Sequence, residues 1–266
     1  MKIKKLHDLN ILVTRPYPSG AKLCELIKSQ GGCAIHLPTL AFAPPKNSSK
    51  FIASIRKLSQ QNWLIFISPQ AVYASLPVLR QEWRALLPSI KLACIGIGTM
   101  KALHQAGYLH VLYPKKKWNS EGLLALPEFQ SLNKQKIAII RGEKGRDQLE
   151  QTLKKRGARV LPIIAYRRII PEIEIHPYQM LLKQNTVDAI VVTSGEGVEN
   201  LTKMIGEAFR SLLCKTPLIV VSERIKMLAH DLGFQTIWVA HHASHHAILE
   251  ILAEKRKELC QMKAKL

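Results

Sequence analysis

Ile11-Leu-Val-Thr-Arg15 returns as Ile137-Ala-Ile-Ile-Arg141, 126 positions later. The same spacing separates Trp63-Leu-Ile-Phe-Ile-Ser68 from Ala189-Ile-Val-Val-Thr-Ser194. It also separates Leu92-Ala-Cys-Ile-Gly96 from Leu218-Ile-Val-Val-Ser222, and Ala106-Gly107 from Leu232-Gly233. Solenoid repeats recur every ~20–50 residues, so a period of 126 is that of a duplicated domain. Two similar lobes on one chain create a cleft, and clefts between domains are where small ligands usually sit.

The pattern inside each copy sets the fold class. Short apolar runs read as strands near 11–15, 33–37, 63–67, 91–95 and 110–113, and again near 136–140, 159–163, 188–192, 217–221 and 236–239. They are apolar throughout rather than alternating, which marks strands buried on both faces of a parallel sheet. Amphipathic helices fit between them at 19–30, 70–79, 98–106, 146–156, 196–205, 223–232 and 244–259. Gly157 is placed to stop one and Ser244 to cap another. Strand–helix alternation predicts an α/β fold: two similar doubly wound, parallel-sheet lobes. Two Pro-bracketed stretches, Leu37 to Pro45 and Leu161 to Pro171, break the pattern and match each other. Proline fixes φ and extends its neighbour, so both read as extended connectors. The segment 127–135 reads as a polar loop between the copies.

Lys and Arg number 39 against 19 Asp and Glu, a net charge of +20. Such a field attracts anions: nucleic acid, an acidic membrane surface or a small polyanion. Terminal lysines and Lys115–Lys117 read as solvated faces. Nucleic-acid binding lacks a recognised motif, and aromatics are only 6% of the chain, too few for stacking platforms. Five cysteines with no Cys-x-x-Cys read as buried, reduced thiols in a cytoplasmic protein. No apolar run approaches the ~18 residues of a membrane helix, and Met1–Asn10 lacks the apolar centre of a signal peptide.

Ligands of parallel sheets meet the carboxyl ends of the strands. Arg15, Ser68 and Thr99 fall there in the first copy, Arg141, Ser194 and Ser222 in the second. Each lies at a strand-to-helix turn, where free N–H groups and the helix dipole favour carboxylate or phosphate; the plainer role of the hydroxyls is helix capping. Gly96-Ile-Gly-Thr99 and Arg141-Gly-Glu-Lys-Gly-Arg-Asp147 lack the spacings of nucleotide loops. His241-His-Ala-Ser-His245-His246 has metal-like spacing, but Ser244 as a cap puts its pairs astride a helix start, so no metal site is expected. No Gly-x-Ser-x-Gly elbow occurs. Tyr166 is the candidate acid, beside Arg167 and Arg168, cations that favour a phenolate; its plainer reading is a tyrosine packing between the lobes.

The order of Val-Thr-Arg-Pro (13–16), Ile-Phe-x-Ser-Pro-x-Ala-Val (65–72), Ile-Gly-x-Gly-Thr (95–99), Ile-Arg-Gly (140–142), Tyr-Arg (166–167), Thr-Ser (193–194) and Val-Ser-x-Arg (221–224) resembles the uroporphyrinogen-III synthase family over nearly the whole chain. The resemblance implies a discontinuous first lobe, 1–37 with 170–266, and a second lobe, 43–164, with 38–42 and 165–169 as a two-stranded connector. It implies a linear tetrapyrrole substrate, the polycarboxylate hydroxymethylbilane. The substrate is closed with loss of its terminal hydroxyl and inversion of the last pyrrole ring, without metal or organic cofactor. It assigns Tyr166 to assisting hydroxyl departure and places Ser68, Thr99, Ser194 and Ser222 along the cleft, with Arg15 and Arg141 as neighbouring cations. Many members carry Thr-Ser-Pro-Arg where this chain has Ile67-Ser-Pro-Gln70. A cytoplasmic monomer in transient contact with the preceding pathway enzyme is the further expectation, with no nucleic-acid or membrane partner. The competing reading is a non-catalytic two-lobed binding protein for a small polyanion.

Overall fold

The computed structural model describes residues 5–82, 90–145 and 147–263. In chain order the elements begin β1 (Asn10–Val13), α1 (Ser19–Ser29), β2 (Cys33–His36), β3 (Ala41–Ala43), α2 (Ser48–Arg56), β4 (Trp63–Phe66), α3 (Pro69–Glu82), β5 (Lys91–Cys94), α4 (Ile97–Gln105), β6 (Val111–Leu112) and α5 (Ser120–Leu124). They continue with β7 (Lys136–Gly142), α6 (Gln148–Lys155), β8 (Arg159–Ile169), α7 (His176–Lys183), β9 (Ala189–Val191), α8 (Gly195–Ile205), α9 (Arg210–Lys215), β10 (Leu218–Val220), α10 (Glu223–Asp231), β11 (Ile237–Val239), α11 (His245–Glu254) and α12 (Arg256–Lys263).

Two compact units result, one of Met1–Ala41 with Ile169–Leu266, the other of Phe42–Arg168. The first holds a five-stranded sheet ordered β11-β10-β9-β1-β2, and the second a six-stranded sheet ordered β3-β8-β7-β4-β5-β6. Each sheet draws strands from both copies of the repeat. The first copy's β1 pairs in parallel with the second copy's β9, and β4 pairs with β7. The registers are copies of one another. Ile11 faces Ala189 as Ile137 faces Trp63, and Asn10 faces Cys33 as Lys136 faces Arg159. Leu218 faces Ile190 and Ile237 as Leu92 faces Leu64 and Val111.

The backbone detail repeats too. Positive φ occurs at Asp8 and Lys134, Gly31 and Gly157, Gly107 and Gly233, each pair 126 apart. Side chains of Asp188 and Asn62, again 126 apart, accept from the first N–H of β1 (2.7 Å) and of β7 (2.8 Å).

Both sheet faces are covered, as the continuous apolar runs require. In the first unit Ile11, Val13, Ala189 and Val191 pack into one core layer with α1 and α11, and Leu12, Ile190 and Val192 into another with α8 and α10. In the second, Leu64, Phe66, Ala138 and Ile140 face α3 and α4, while Trp63, Ile65, Ile137 and Ile139 face α6.

The second Pro-bracketed stretch is extended: β8 runs through it for 11 residues, and β3 lies beside β8 at the sheet edge. Other expectations need correction. Segment 127–135 is no polar loop, because Phe129 and Leu132 are buried and Arg156 donates to the Phe129 carbonyl. All five cysteines are free, but Cys33 is exposed at the start of the edge strand β2. The expected last helix breaks between α11 and α12. Among the described residues, no helix is long and apolar enough to cross a membrane.

Candidate active site

In the second unit the site grows from the carboxyl ends of β4, β7 and β8. β8 carries a bulge there: Arg141 pairs with Ile164 and Gly142 with Tyr166. The extra residue interrupts the alternation, so Ala165 and Tyr166 are both buried. Bulges re-aim side chains in this way, and the Tyr166 ring is laid against Gly142. A Cβ at Gly142 would come within 2.8 Å of ring Cε2 and 2.9 Å of Cζ. Phe42 meets the ring edge-on, with centroids 5.5 Å apart. Tyr166 Oη lies 3.1 Å from Ser68 Oγ, which itself accepts from the Ala71 N–H (3.0 Å) at the start of α3. Tyr166 borders a cavity of 340 Å³ lined also by Phe42, Pro44, Phe51 and Gln70. The neighbours that shape the phenol are thus a hydroxyl, a glycine and an aromatic edge. Of the two arginines that follow it, strand alternation sends Arg167 to the opposite face.

Arg141, the last residue but one of β7, faces the other way, with Ile137 and Ile139. It is buried and bonds Asp147 at 2.7 Å, with Glu150 at 3.8 Å. It borders a separate cavity of 270 Å³ with Ile67, Ile95, Trp118 and Glu150. Arg141 and Tyr166 therefore belong to opposite faces of one sheet, and so do the two departures Ile67 and Gln70. Thr99 stands in the first turn of α4, whose cap position is Gly96. It is 3% exposed, like Ile225, its counterpart in the other copy, so its hydroxyl offers a ligand little surface.

In the first unit Ser194 caps α8 through the Gly197 N–H (3.0 Å), and Ser222 caps α10 through the Ile225 N–H (3.4 Å). Each oxygen accepts from the helix and keeps its own O–H to give. Arg15 follows β1; its Nη1 donates to the Ala243 carbonyl (3.0 Å), and its own carbonyl bonds His36 Nε2 (2.8 Å). Ser244 caps α11 as expected, accepting from the Ala247 N–H (3.2 Å). Sequence reasoning did not single out Ser19, whose hydroxyl lies 3.3 Å from His245 Nε2.

The family model described as uroporphyrinogen-III synthase HemD matches residues 21–250. The chain belongs to the uroporphyrinogen-III synthase family. Among its relatives, the uroporphyrinogen-III synthase of Escherichia coli K12 is 34% identical over 247 residues, 92% of this chain and 100% of that one. The Salmonella typhimurium LT2 enzyme of the same name is 31% identical over 245 residues, 92% and 100% of the two chains. Two solved uroporphyrinogen III synthase structures share the fold. A mutant from Thermus thermophilus has a TM-score of 0.60 at 18% identity, covering 96% of this chain and 99% of that one. The Helicobacter pylori 26695 protein has a TM-score of 0.60 at 15% identity, covering 92% and 99%.

Proposed function

We propose that this member of the uroporphyrinogen-III synthase family acts as a cyclising hydro-lyase. It closes hydroxymethylbilane with loss of the terminal hydroxyl as water and inversion of the last pyrrole ring. The observation that carries the site assignment is the Ser68–Tyr166 hydroxyl pair at the start of α3. The Ala71 N–H donates to Ser68 Oγ; the seryl O–H is then directed at Tyr166 Oη, and the phenol proton at the departing hydroxyl. Each bond in such a chain polarises the next, and the positive end of the α3 dipole lies behind the relay. The phenol is thereby a stronger donor to a leaving oxygen.

The remaining work is positional. A flexible linear substrate must be held so that one ring closure wins over another, and such orientation is worth several kcal/mol. The net charge of +20 attracts a polycarboxylate. Ser194 and Ser222, with their hydroxyl protons free to donate, suit carboxylate contacts. Five free thiols favour a reducing, cytoplasmic setting.

Incubation with hydroxymethylbilane, followed by oxidation and separation of the isomers, tests the reaction. The type III product is expected, and exclusive formation of type I overturns the reading. Tyr166→Phe is expected to lower turnover about a hundredfold with the unfolding transition unchanged; wild-type turnover would remove Tyr166 from the chemistry.

A further inference from the structure

The first unit holds a group of polar side chains that the relay above does not use. Arg15 leaves the carboxyl end of β1 and bonds the Ala243 carbonyl; two residues on, His245 opens α11 and meets Ser19 at the start of α1 (3.3 Å). Burial lowers the Arg15 pKa from its ordinary value. His245 is also held below its ordinary value, first by burial and then by Arg15, with Lys22 acting in the same direction and the Ser19 bond opposing them.

Of the acids on α1 and α11, Glu25 pairs with Lys22 (2.9 Å), Glu250 pairs with His246 (3.2 Å), and Glu254 stands at the far end of α11 beside Lys255. Arg256, Lys257 and Glu258 belong to α12, beyond the far end of α11, about 15 Å of helix away. His241 and His242 precede the Ser244 cap.

The repeat sharpens the point. Arg141, the counterpart of Arg15, is neutralised by Asp147 and Glu150. The residues 126 positions before those acids are Ala21 and Cys24. Among the described residues, Arg15 has no carboxylate partner, and its recorded side-chain bond is to one carbonyl. A guanidinium and a protonatable imidazole thus share one site with the acids of the twin site deleted. With His245 protonated, its Nε2–H donates to Ser19 Oγ; an oxyanion placed there would then receive the guanidinium and the seryl O–H, and would relieve the repulsion between the cations.

We propose that Arg15, Ser19 and His245 form an oxyanion cradle, and that it takes one carboxylate of the tetrapyrrole substrate. The substrate half of this inference rests on the function proposed above. Protonation of His245 adds a second charge to the cradle, so anion affinity rises as pH falls.

The test reads the His245 imidazole directly by proton NMR, with His245→Asn providing the assignment. Acetate and inorganic phosphate are each compared with chloride at equal ionic strength. Both are expected to raise the His245 titration midpoint, and Arg15→Gln to abolish that response. No response to either anion overturns the cradle, whatever the enzyme does with hydroxymethylbilane. In turnover assays Arg15→Gln should raise KM about tenfold, the loss of one charge-assisted contact, with kcat held. The wild-type KM should climb with pH through the His245 midpoint, and His245→Asn should remove that dependence. A phosphate response with KM unchanged in both variants overturns the substrate assignment and leaves free anions as the ligand. If no type III isomer forms at all, the proposed function fails while the NMR result still decides the cradle.

Discussion

Arg15 and Arg141 occupy the same place in two copies of one scaffold, yet their surroundings are opposite. Arg15 follows β1 and Arg141 lies near the end of β7, strands of matching register, and both precede helices whose buried faces match, Leu23 and Ile27 in α1 with Leu149 and Leu153 in α6. The second copy closes Arg141 into a network with Asp147 and Glu150, and Glu150 reaches on to Lys154 at 2.7 Å. The first copy has Ala21 and Cys24 at the corresponding positions and leaves its guanidinium to a carbonyl. Backbone and core have been preserved through the duplication, and the charges have diverged. One arginine is neutralised by acids within its own unit; the other is bonded to a backbone carbonyl.

The largest effect should come from stripping Arg141 of its acids. Asp147→Asn with Glu150→Gln leaves a buried guanidinium without charge compensation. Removing one side of a fully buried pair costs roughly 3–5 kcal/mol; because the Asp147 side chain is 62% exposed, screening reduces the expected loss to about 2 kcal/mol. Urea unfolding measures it. Arg15→Gln in the same assay should change stability by no more than about 0.5 kcal/mol. Equal losses from both would end the distinction between them.

A second contrast concerns Tyr166, whose counterpart at the 126 spacing is Leu40, as Pro16 is that of Gly142. The bulge in β8 and the bare Cα of Gly142 exist in one copy alone. Gly142→Ala drives a Cβ to within 2.8 Å of the ring, an overpacking that costs about 1–3 kcal/mol. Turnover should fall further than the unfolded fraction accounts for, and the loss should shrink when Tyr166→Phe is already present. Additive losses would mean that Gly142 acts on stability alone.

The strands, the repeat and most helices were legible because continuous apolar runs and a long period survive in single residues. Less legible were the short helices α2, α5, α7 and α9; α2 and α7 follow the Pro-bracketed stretches, where Pro44 and Pro171 signal extended chain rather than Ser48–Arg56 and His176–Lys183. The exchange of strands between units was not in the periodicity, since sequence spacing is blind to which sheet a strand joins. At the site, strand-end residues were readable and their facing was not. Arg141 and Tyr166 look alike as strand-end polar groups, and only the β8 bulge and the pleat show that they face apart.

Three of the serine caps give a smaller, graded test. Losing a cap costs about 1 kcal/mol, so Ser68→Ala and Ser194→Ala should cost similar amounts, their N–H contacts both being 3.0 Å. Ser222→Ala should cost less, from 3.4 Å. Turnover separates the first pair: Ser68→Ala breaks the relay to Tyr166 and should lower kcat, whereas Ser194→Ala should act on KM. An unchanged kcat in Ser68→Ala would confine Ser68 to capping.

The smallest effect on stability should come from giving the first copy an acid that the second one has. Ala21→Asp puts a carboxylate in the first turn of α1, where the helix dipole favours it by a few tenths of a kcal/mol. The informative change is in His245. Burial and Arg15 hold it below its ordinary 6.5, so as pH falls the unfolded chain takes up the proton first. The folded protein therefore loses stability as pH descends from 6.5 toward the folded midpoint. An aspartate at 21 that engages Arg15 should raise that midpoint, flatten this acid-side loss and remove the response to acetate. If the anion response survives beside a carboxylate at 21, the difference between the two arginines does not arise from the missing acids.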